Sequence, residues 1–285
     1  MVHMFPDGVS AEAVESLISV ALAEDLGQDG DITSNATIPA DMRFQGVMAA
    51  RHDMVIAGLG IAGLVFKAMD NTIDWHPQSK DGAFVSAGTI LARVEGPGRA
   101  LLTAERTALN FLQHLSGIAT LAKTYVDVVQ GTNATILDTR KTLPGYRDLA
   151  KYAARMGGAT NHRMRLDDLV LIKDNHVAIA GSITAAIQGA KAAGHTKIEV
   201  ECDTLDQVRE ALNSGVDAIL LDNMTNDQLR EAVTLIDGEA RSEASGGVTL
   251  ETVRTIAETG VDSISIGRIT QSAPAVDIGL DWVTK

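Results

Sequence analysis

The chain has 285 residues, of which 45% are hydrophobic and 21% are charged, and its formal net charge at pH 7 is −13. This composition is typical of a soluble globular protein and excludes an intrinsically disordered chain. The acidic balance argues against nucleic acid or an anionic membrane as a partner of the whole surface. The single cysteine, Cys202, cannot form an intramolecular disulfide. This indicates a reducing cytoplasm, and no stretch is apolar enough to span a membrane.

The charge is distributed unevenly along the chain. Between Arg140 and His176 the sequence contains eight basic and four acidic residues, so this segment carries +4 and the rest of the chain carries −17. A basic segment within an acidic chain predicts a local binding site for anions. We expect its cations to converge on small, highly charged ligands.

The first hundred residues predict a separate α+β domain. Strands are expected at residues 44–50 and 54–57, a helix at 61–69, and short strands with glycine-bearing turns at 81–96. A long helix is expected at 101–119, with an apolar stripe on one side and Arg106 on the other. That spacing leaves Arg106 either in solvent or available to a group outside its own helix, such as a partner subunit.

The second half alternates short aliphatic segments with amphipathic ones. The aliphatic segments begin at Lys197, Ala218, Ala240 and Ser263, so each step has the length of one strand plus one helix. Earlier strands are expected at residues 136–139 and 169–173, with a short one near 159–162. Repeated βα steps indicate parallel strands, and about seven of them favour a barrel over an open sheet.

In a β/α barrel the functional residues follow the carboxyl ends of the strands. Taken singly, most residues at those positions also have a structural interpretation, such as a helix cap or a tight turn. Together, the cations at one mouth would repel each other, so a polyanionic ligand is the expected partner. The residues at these positions are Thr139, Arg140, Lys141, Asn161, His162, Arg163, Lys173, Glu201, Asp222, Ser245-Gly246-Gly247 and Gly267-Arg268.

Two features at this mouth indicate phosphate chemistry. The glycine turns follow the last two strands, where barrel enzymes frequently bind phosphate through backbone N–H groups. Glu201 and Asp222, on neighbouring strands, predict Mg²⁺, which takes few protein ligands and bridges to phosphate oxygens. The spacing of the histidines and of Cys202 does not predict zinc. Cys202 follows Glu201 on its strand and therefore points away from the mouth, so no nucleophile is expected.

The segment from Asp138 to His176 resembles the signature of the quinolinate phosphoribosyltransferase family. Further matches occur in the family's order over nearly the whole chain. They are GDITS (30–34), AERTALNFLQHLSGIAT (104–120), EVE (199–201), LLDN (220–223), EASGGV (243–248) and SIG (265–267). The resemblance implies that quinolinate and phosphoribosyl pyrophosphate react, with Mg²⁺, to nicotinate mononucleotide, pyrophosphate and CO₂.

The resemblance also implies a fold class and an assembly. The fold would be α/β, with an N-terminal α/β sandwich domain at residues 1–115 and a seven-stranded open α/β barrel, TIM-like, at 116–271. Residues 272–285 are expected to pack back on the first domain. The protein would form a homodimer or a higher oligomer, and Arg106 would enter the active site of the neighbouring subunit.

The same resemblance implies a role for each residue at the mouth, with Lys141, Glu201 and Asp222 in catalysis. Glu201 and Asp222 would hold Mg²⁺ or the ribose hydroxyls. The two carboxylates of quinolinate would be bound by Arg140, His162, Arg163, Lys173 and the Arg106 of a partner subunit. Thr139 lies next to these cations. The phosphates of phosphoribosyl pyrophosphate would be bound by Lys141 and by the turns Ser245-Gly246-Gly247 and Ile266-Gly267-Arg268.

Two alternatives stay open at this point. The first is a pyrophosphorylase of the same fold with another heteroaromatic acid as acceptor, including the molybdenum-associated relatives. The cluster of Arg106, Arg140, His162 and Arg163 favours a dicarboxylate over a monocarboxylate. The second is a carrier module, because residues 81–96 have the turn-rich strands of biotinyl or lipoyl domains. Such domains require a lysine at a hairpin tip, and this segment contains none after Lys80.

Overall fold

The structure is a computed structural model that describes residues 5–283. The chain divides into two compact units. The first comprises Met1–Lys123, Asp148–Gly158 and Ser272–Lys285, and the second comprises Thr124–Arg147 and Ala159–Gln271. The sequence placed the boundary after residue 115 and residues 148–158 in the second domain, whereas here that segment belongs to the first unit. No helix in the described part of the chain is long and apolar enough to cross a membrane.

The first unit is built on a four-stranded antiparallel sheet with the order β12-β1-β5-β3. A separate antiparallel pair joins β2 to β4. Its strands are β1 (Arg43–Ala50), β2 (Met54–Val55), β3 (Asp74–Pro77), β4 (Phe84–Val85), β5 (Ile90–Pro97) and β12 (Ile278–Trp282). Its helices are α1 (Ala11–Leu26), α2 (Ile32–Thr37), α3 (Leu59–Met69), most of α4 (Gly98–Val128) and, from residue 148 on, α5 (Arg147–Met156).

Helix α4 is longer than expected, but its two sides are as predicted. The apolar stripe that includes Leu101, Leu112 and Leu115 is fully buried, and Arg106 on the other side is exposed. Two glycines allow close packing around this helix. A Cβ on Gly117 would lie 2.1 Å from the carbonyl oxygen of Pro274, and one on Gly157 would lie 2.1 Å from that of Ala119. These contacts explain why the segment after α5 and the C-terminal segment belong to the same unit as α4.

The second unit contains a six-stranded parallel sheet with the order β6-β11-β10-β9-β8-β7. The predicted strand positions are confirmed to within two residues. The strands are β6 (Thr135–Leu137), β7 (Val170–Ile172), β8 (Ile198–Cys202), β9 (Ala218–Asp222), β10 (Arg241–Ser245) and β11 (Ser263–Ser265). The helices are α6 (Asp174–Ala180), α7 (Ile183–Ala192), α8 (Leu205–Ser214), α9 (Asn226–Ile236), α10 (Val253–Ala257) and α11 (Gly267–Gln271).

The seventh strand expected near 159–162 is reduced to a single residue. Thr160 forms one parallel bridge with Leu137, and its N–H donates to the carbonyl of Ile136 at 2.9 Å. In the described chain the sheet therefore has six strands plus this bridge. The structure shows an α/β protein with one parallel sheet of six strands and two antiparallel sheets of four and two strands.

Candidate active site

A cavity of about 550 Å³ lies at the carboxyl ends of the parallel strands. Every strand of the sheet contributes residues to it, because parallel strands end at the same edge. Fourteen of the fifteen predicted site residues line this cavity. Arg106 is the other one and lies exposed on α4, in the first unit. The fourteen are Thr139, Arg140, Lys141, His162, Arg163, Lys173, Glu201, Asp222, Ser245, Gly246, Gly247, Ile266, Gly267 and Arg268.

Two arginines lie close together on one side of the cavity. The pKa of Arg163 is lowered, mainly by burial and in addition by the neighbouring positive charge of Arg140. The negative charges of Glu199 and Asp168 act in the opposite direction but do not outweigh these effects. The Nε atom of Arg140 is buried and has no hydrogen-bond acceptor among the described residues. A desolvated guanidinium next to a like charge is stabilised by an anion, and carboxylates suit its planar donors. This side of the cavity is therefore suited to a carboxylate-bearing ligand.

The predicted acidic pair lies on adjacent strands. Glu201 on β8 pairs with Leu220 on β9, so Asp222 stands two residues further along β9, toward the cavity. Glu201 forms an ion pair with Lys173, and Asp222 accepts a hydrogen bond from the side chain of Asn223 at 2.5 Å. The carboxylate of Glu201, whose side chain is 10% exposed, thus already accommodates a cation.

Two turns bring backbone close to the cavity. Gly246 has a φ of +94°, and a Cβ there would lie 2.2 Å from Oδ1 of Asn223. Gly267 begins α11, and a Cβ there would lie 2.8 Å from Cδ of Lys141. The backbone of Lys141 is itself held, because the hydroxyl of Thr270 donates to its carbonyl at 2.8 Å. At Gly246 the positive φ and the close backbone of Asn223 require a glycine, which leaves the backbone of this turn open to the cavity.

Beneath the cations, the structure places His162 between two buried glutamates. Its Nε2 atom is 3.2 Å from Oε2 of Glu199 on β8 and 3.4 Å from Oε2 of Glu243 on β10. The side chains of the glutamates are only 5% and 6% exposed, and that of His162 is 11% exposed. Nδ1 of His162 accepts a hydrogen bond from the backbone N–H of Arg163 at 2.8 Å. Both ring nitrogens are therefore engaged within the protein.

His162 and Glu199 both have a raised pKa. Burial disfavours a charged imidazole, but the hydrogen bonds to Glu199 and Glu243 outweigh it and raise the pKa of His162 to about 10. Burial also raises the pKa of Glu199. Since Nδ1 accepts the N–H of Arg163, it carries no hydrogen of its own, and Nε2–H points at the glutamates. The ring of His162 is thereby fixed between the two glutamates on one side and the backbone of Arg163 on the other.

This arrangement does not suit a metal ion, although the three side chains have their ligand atoms within 4.8 Å of one another. A histidine that binds a metal through Nε2 needs its hydrogen on Nδ1, where it donates to an acceptor. Here Nδ1 faces the N–H of Arg163 instead. The hydrogen on Nε2 therefore occupies the position that a metal would take.

Sequence reasoning missed Glu199 and Glu243 as site residues. Both lie two residues before a predicted one, Glu201 and Ser245, and side chains two apart on a strand share a face. A charged residue in a buried strand was therefore the available signal. The expectation that the cations of the basic segment converge holds only in part. Arg140, Lys141, Arg163 and Lys173 line the cavity, whereas Lys151 and Arg155 lie on α5 in the first unit.

The fold is that of an α/β protein, and cations, carboxylates and glycine turns lie together at the carboxyl edge of its parallel sheet. Such an edge is where α/β proteins commonly bind phosphorylated ligands. The comparisons with known proteins agree with this class. Residues 31–116 match the N-terminal domain of quinolinate phosphoribosyl transferase, and residues 118–281 match its C-terminal domain. The chain belongs to the quinolinate phosphoribosyl transferase family.

Similar proteins extend over nearly the full chain. The carboxylating nicotinate-nucleotide pyrophosphorylase of Mycobacterium leprae is 45% identical over 276 residues, which are 95% of this chain and 97% of that protein. The chloroplastic protein of the same name from Arabidopsis thaliana is 42% identical over 94% of this chain and 82% of its own length. The nicotinate-nucleotide pyrophosphorylase structure from Ehrlichia chaffeensis has a TM-score of 0.92 at 42% identity, covering 97% of this chain and 100% of that one.

Proposed function

We propose that the protein transfers the phosphoribosyl group of phosphoribosyl pyrophosphate to quinolinate. Decarboxylation follows, and the products are nicotinate mononucleotide, pyrophosphate and CO₂. One observation carries this proposal: five lysine or arginine side chains, three carboxylates and two glycine turns line one cavity at the carboxyl ends of the parallel strands. It combines donors for two carboxylates with donors for phosphate, and the family supplies the identity of the substrates.

The acceptor would bind at the basic side of the cavity. Quinolinate carries two adjacent carboxylates, and the proposed site consists of Arg140, Arg163 and Lys173 with His162 beneath them. Each charge-assisted hydrogen bond contributes about 1.5–3 kcal/mol. Loss of one such arginine therefore weakens acceptor binding roughly 10- to 150-fold. Thr139 supports this group, because its hydroxyl accepts the N–H of Lys141 at 3.0 Å.

The donor would bind at the opposite side, between the glycine turns. Lys141, the turn Ser245-Gly246-Gly247 and the turn Ile266-Gly267-Arg268 supply N–H groups and cations for its phosphates. Glu201 and Asp222 fit Mg²⁺, since both offer oxygen ligands from adjacent strands and the Lys173 ammonium next to Glu201 marks a place for a cation. Mg²⁺, when bound, would neutralise charge on the departing pyrophosphate.

The residues of the chain then act mainly by positioning and by electrostatics. The cations hold the pyridine nitrogen against C1 of the ribose, whose bond to pyrophosphate breaks as the nitrogen forms its new bond. Glu201 and Asp222 stabilise the positive charge that develops on the ribose, and Lys141 balances the negative charge of the leaving group. The positive charge of the ring nitrogen then stabilises the electron pair that stays on C2 when the C2–CO₂ bond breaks, and that pair takes up a proton in place of CO₂.

We further propose that the parallel sheet curls into an open barrel. Neighbouring strands are about 4.8 Å apart, so in a flat sheet the outermost strands β6 and β7, five positions apart, would lie roughly 24 Å from each other. Yet residues following both of them line one cavity. In addition, His162 follows Thr160, which forms a bridge with β6 at the outer edge of the sheet. Its side chain nevertheless contacts Glu199 of β8 and Glu243 of β10. Both observations favour a curled sheet with Thr160 at the place of the seventh strand.

We also propose a homodimer or a higher oligomer in which Arg106 of one subunit completes the site of another. The exposed position of Arg106 on α4 and its membership in the AER motif support this assignment. Quinolinate would then contact one arginine that its own subunit does not supply. The acceptor site of an isolated subunit would be incomplete.

Turnover tests the proposal most directly. Purified protein is incubated with phosphoribosyl pyrophosphate, Mg²⁺ and either quinolinate or nicotinate, and nicotinate mononucleotide, pyrophosphate and CO₂ are quantified. We expect product from quinolinate, no comparable product from nicotinate, and loss of activity on chelation of Mg²⁺. Preference for nicotinate would instead support a related pyrophosphorylase, and Arg209→Ala, on the outer helix α8, serves as the control variant that stays active.

A further inference from the structure

The segment that carries Arg163 is positioned differently from the other cavity-lining segments. Those follow strands of three to five residues, whereas Arg163 follows a single β-bridge at Thr160. Its neighbouring N–H groups are bound by side chains instead of by a β-ladder. The N–H of His162 donates to Oδ1 of Asp138 at 2.9 Å, and the N–H of Arg165 donates to Oδ2 of Asp168 at 3.1 Å.

Arg163 is held in the same way, by the ring of His162. The backbone N–H of Arg163 donates to Nδ1 of His162 at 2.8 Å, and Nε2 on the far side of the ring faces Glu199 and Glu243. One oxygen of each glutamate, Oε1, is buried and has no hydrogen-bond partner within residues 5–283. Burying two carboxylates is costly unless they are paired or hydrogen-bonded. Here they fix the orientation of one imidazole.

We propose that His162 is a positioning residue, which links the carboxylates of Glu199 and Glu243 to the backbone of Arg163 and so fixes the arginine that binds the acceptor. The identity of that acceptor rests on the proposed function, but the positioning does not. Both ring nitrogens of His162 already have partners within the protein, which leaves the positioning of Arg163 as its proposed role. Strands β8 and β10 thereby determine where Arg163 stands, although neither strand is its neighbour in the sheet.

Two conservative variants of His162 test the contacts of its two ring nitrogens one at a time. An asparagine side chain places its oxygen near the position of Nδ1, so His162→Asn keeps an acceptor for the N–H of Arg163. A glutamine side chain reaches the position of Nε2, so His162→Gln keeps the contact with the glutamates but loses that acceptor. His195→Gln, at an exposed histidine after α7, is the matched control.

The first measurement is amide hydrogen exchange of the peptide containing Arg163, without any ligand. We expect His162→Gln to raise the exchange rate of the Arg163 amide at least tenfold. His162→Asn should stay within about threefold of the wild type, and the control should match it. Glu199→Gln and Glu243→Gln should each raise the rate at least threefold, because they loosen the ring. Unchanged protection in His162→Gln, or in both glutamine variants of the glutamates, would overturn the proposal.

The second measurement is a double-mutant cycle on quinolinate binding by calorimetry. We expect His162→Gln to weaken binding about tenfold in the wild-type background and less than twofold in the Arg163→Ala background. His162→Asn should restore most of the affinity, and the Kd for phosphoribosyl pyrophosphate should stay unchanged. Equal weakening in both backgrounds would show that His162 binds quinolinate itself and refute the positioning role.

The two measurements also distinguish failure of this inference from failure of the proposed function. If the wild type does not bind quinolinate while the exchange pattern is as expected, the substrate assignment is wrong and the positioning role stands. Thermal unfolding of each variant identifies any that does not fold. The glutamate variants then provide two independent substitutions on different strands, so misfolding of one leaves the other as the test.

Discussion

The turn after β10 contains two consecutive glycines that differ in their surroundings, and this difference gives a sharp prediction. Gly246 and Gly247 both have positive φ angles, +94° and +60°. An alanine in such a conformation costs about 1–2 kcal/mol. At Gly247 nothing lies within 4 Å of the added Cβ, so that cost is the whole effect. At Gly246 the Cβ would also lie 2.9 Å from the backbone nitrogen of Asn223, which cannot rotate away.

We therefore expect Gly246→Ala to move the turn as well as to strain it. The N–H of Asn223 donates to the carbonyl of Ser245 at 2.9 Å, so movement separates the ends of β9 and β10. Overpacking of this kind adds about 1–3 kcal/mol. The expected loss in the free energy of unfolding is then about 2–5 kcal/mol for Gly246→Ala and about 1–2 kcal/mol for Gly247→Ala.

Urea denaturation and steady-state kinetics measure both consequences. If the turn binds a phosphate of the donor, Gly246→Ala should raise KM for phosphoribosyl pyrophosphate at least tenfold and leave KM for quinolinate within threefold. Gly247→Ala should change the donor KM by a few-fold only. Equal destabilisation and equal KM values for the two variants would refute the argument from the Asn223 contact.

Three further predictions concern other parts of the molecule. Arg106→Ala and Arg163→Ala should each be nearly inactive, and co-expression should restore part of the activity through mixed dimers; folded but inactive mixed dimers would contradict a shared site. Tyr152→Phe should lower the free energy of unfolding by about 0.5–1.5 kcal/mol, because the Tyr152 hydroxyl donates to Asp81 at 2.7 Å. Burial and the charge of Asp81 raise the pKa of Tyr152 above its ordinary value of 10.0. As the pH rises, Tyr152 therefore ionises in the unfolded chain before it does so in the folded protein. The difference in the free energy of unfolding between the wild type and Tyr152→Phe should be full below pH 10 and should decrease above pH 10, as measured by urea titrations. Burial raises the pKa of Cys202 to about 12, so a thiol reagent at pH 8 should react with it only after urea unfolding, and rapid labelling of the native protein would contradict its burial.

The sequence predicts the six strands of the parallel sheet well, because the strands recur at a regular interval and most of them are aliphatic segments. The segment from Ala218, for example, begins and ends as β9 does. The cavity follows from the same regularity, since residues after successive parallel strands meet at one edge. Fourteen predicted site residues line it for that reason.

The parts that sequence reasoning could not supply depend on contacts between distant segments. Lys151 and Arg155 belong to the same basic segment of the sequence as the cations of the cavity, but they lie on α5, which is part of the first unit. The pairing of His162 with Glu199 and Glu243 joins residues 37 and 81 positions apart. No local periodicity reports such pairings. The exposed face of α4 around Arg106 can be predicted from helical spacing, whereas the group that contacts this face cannot.

The single bridge at Thr160 has a consequence for how this site can vary. A β-ladder is formed by peptide groups, which every sequence shares, so a substitution hardly alters its hydrogen bonds. Next to Arg163 those bonds are made to the side chains of Asp138, His162 and Asp168. A single substitution can replace each of these three side chains by a longer or shorter one, or by one without an acceptor. The position of Arg163 can therefore change during evolution, or be adjusted by design, while the strands around it keep their register.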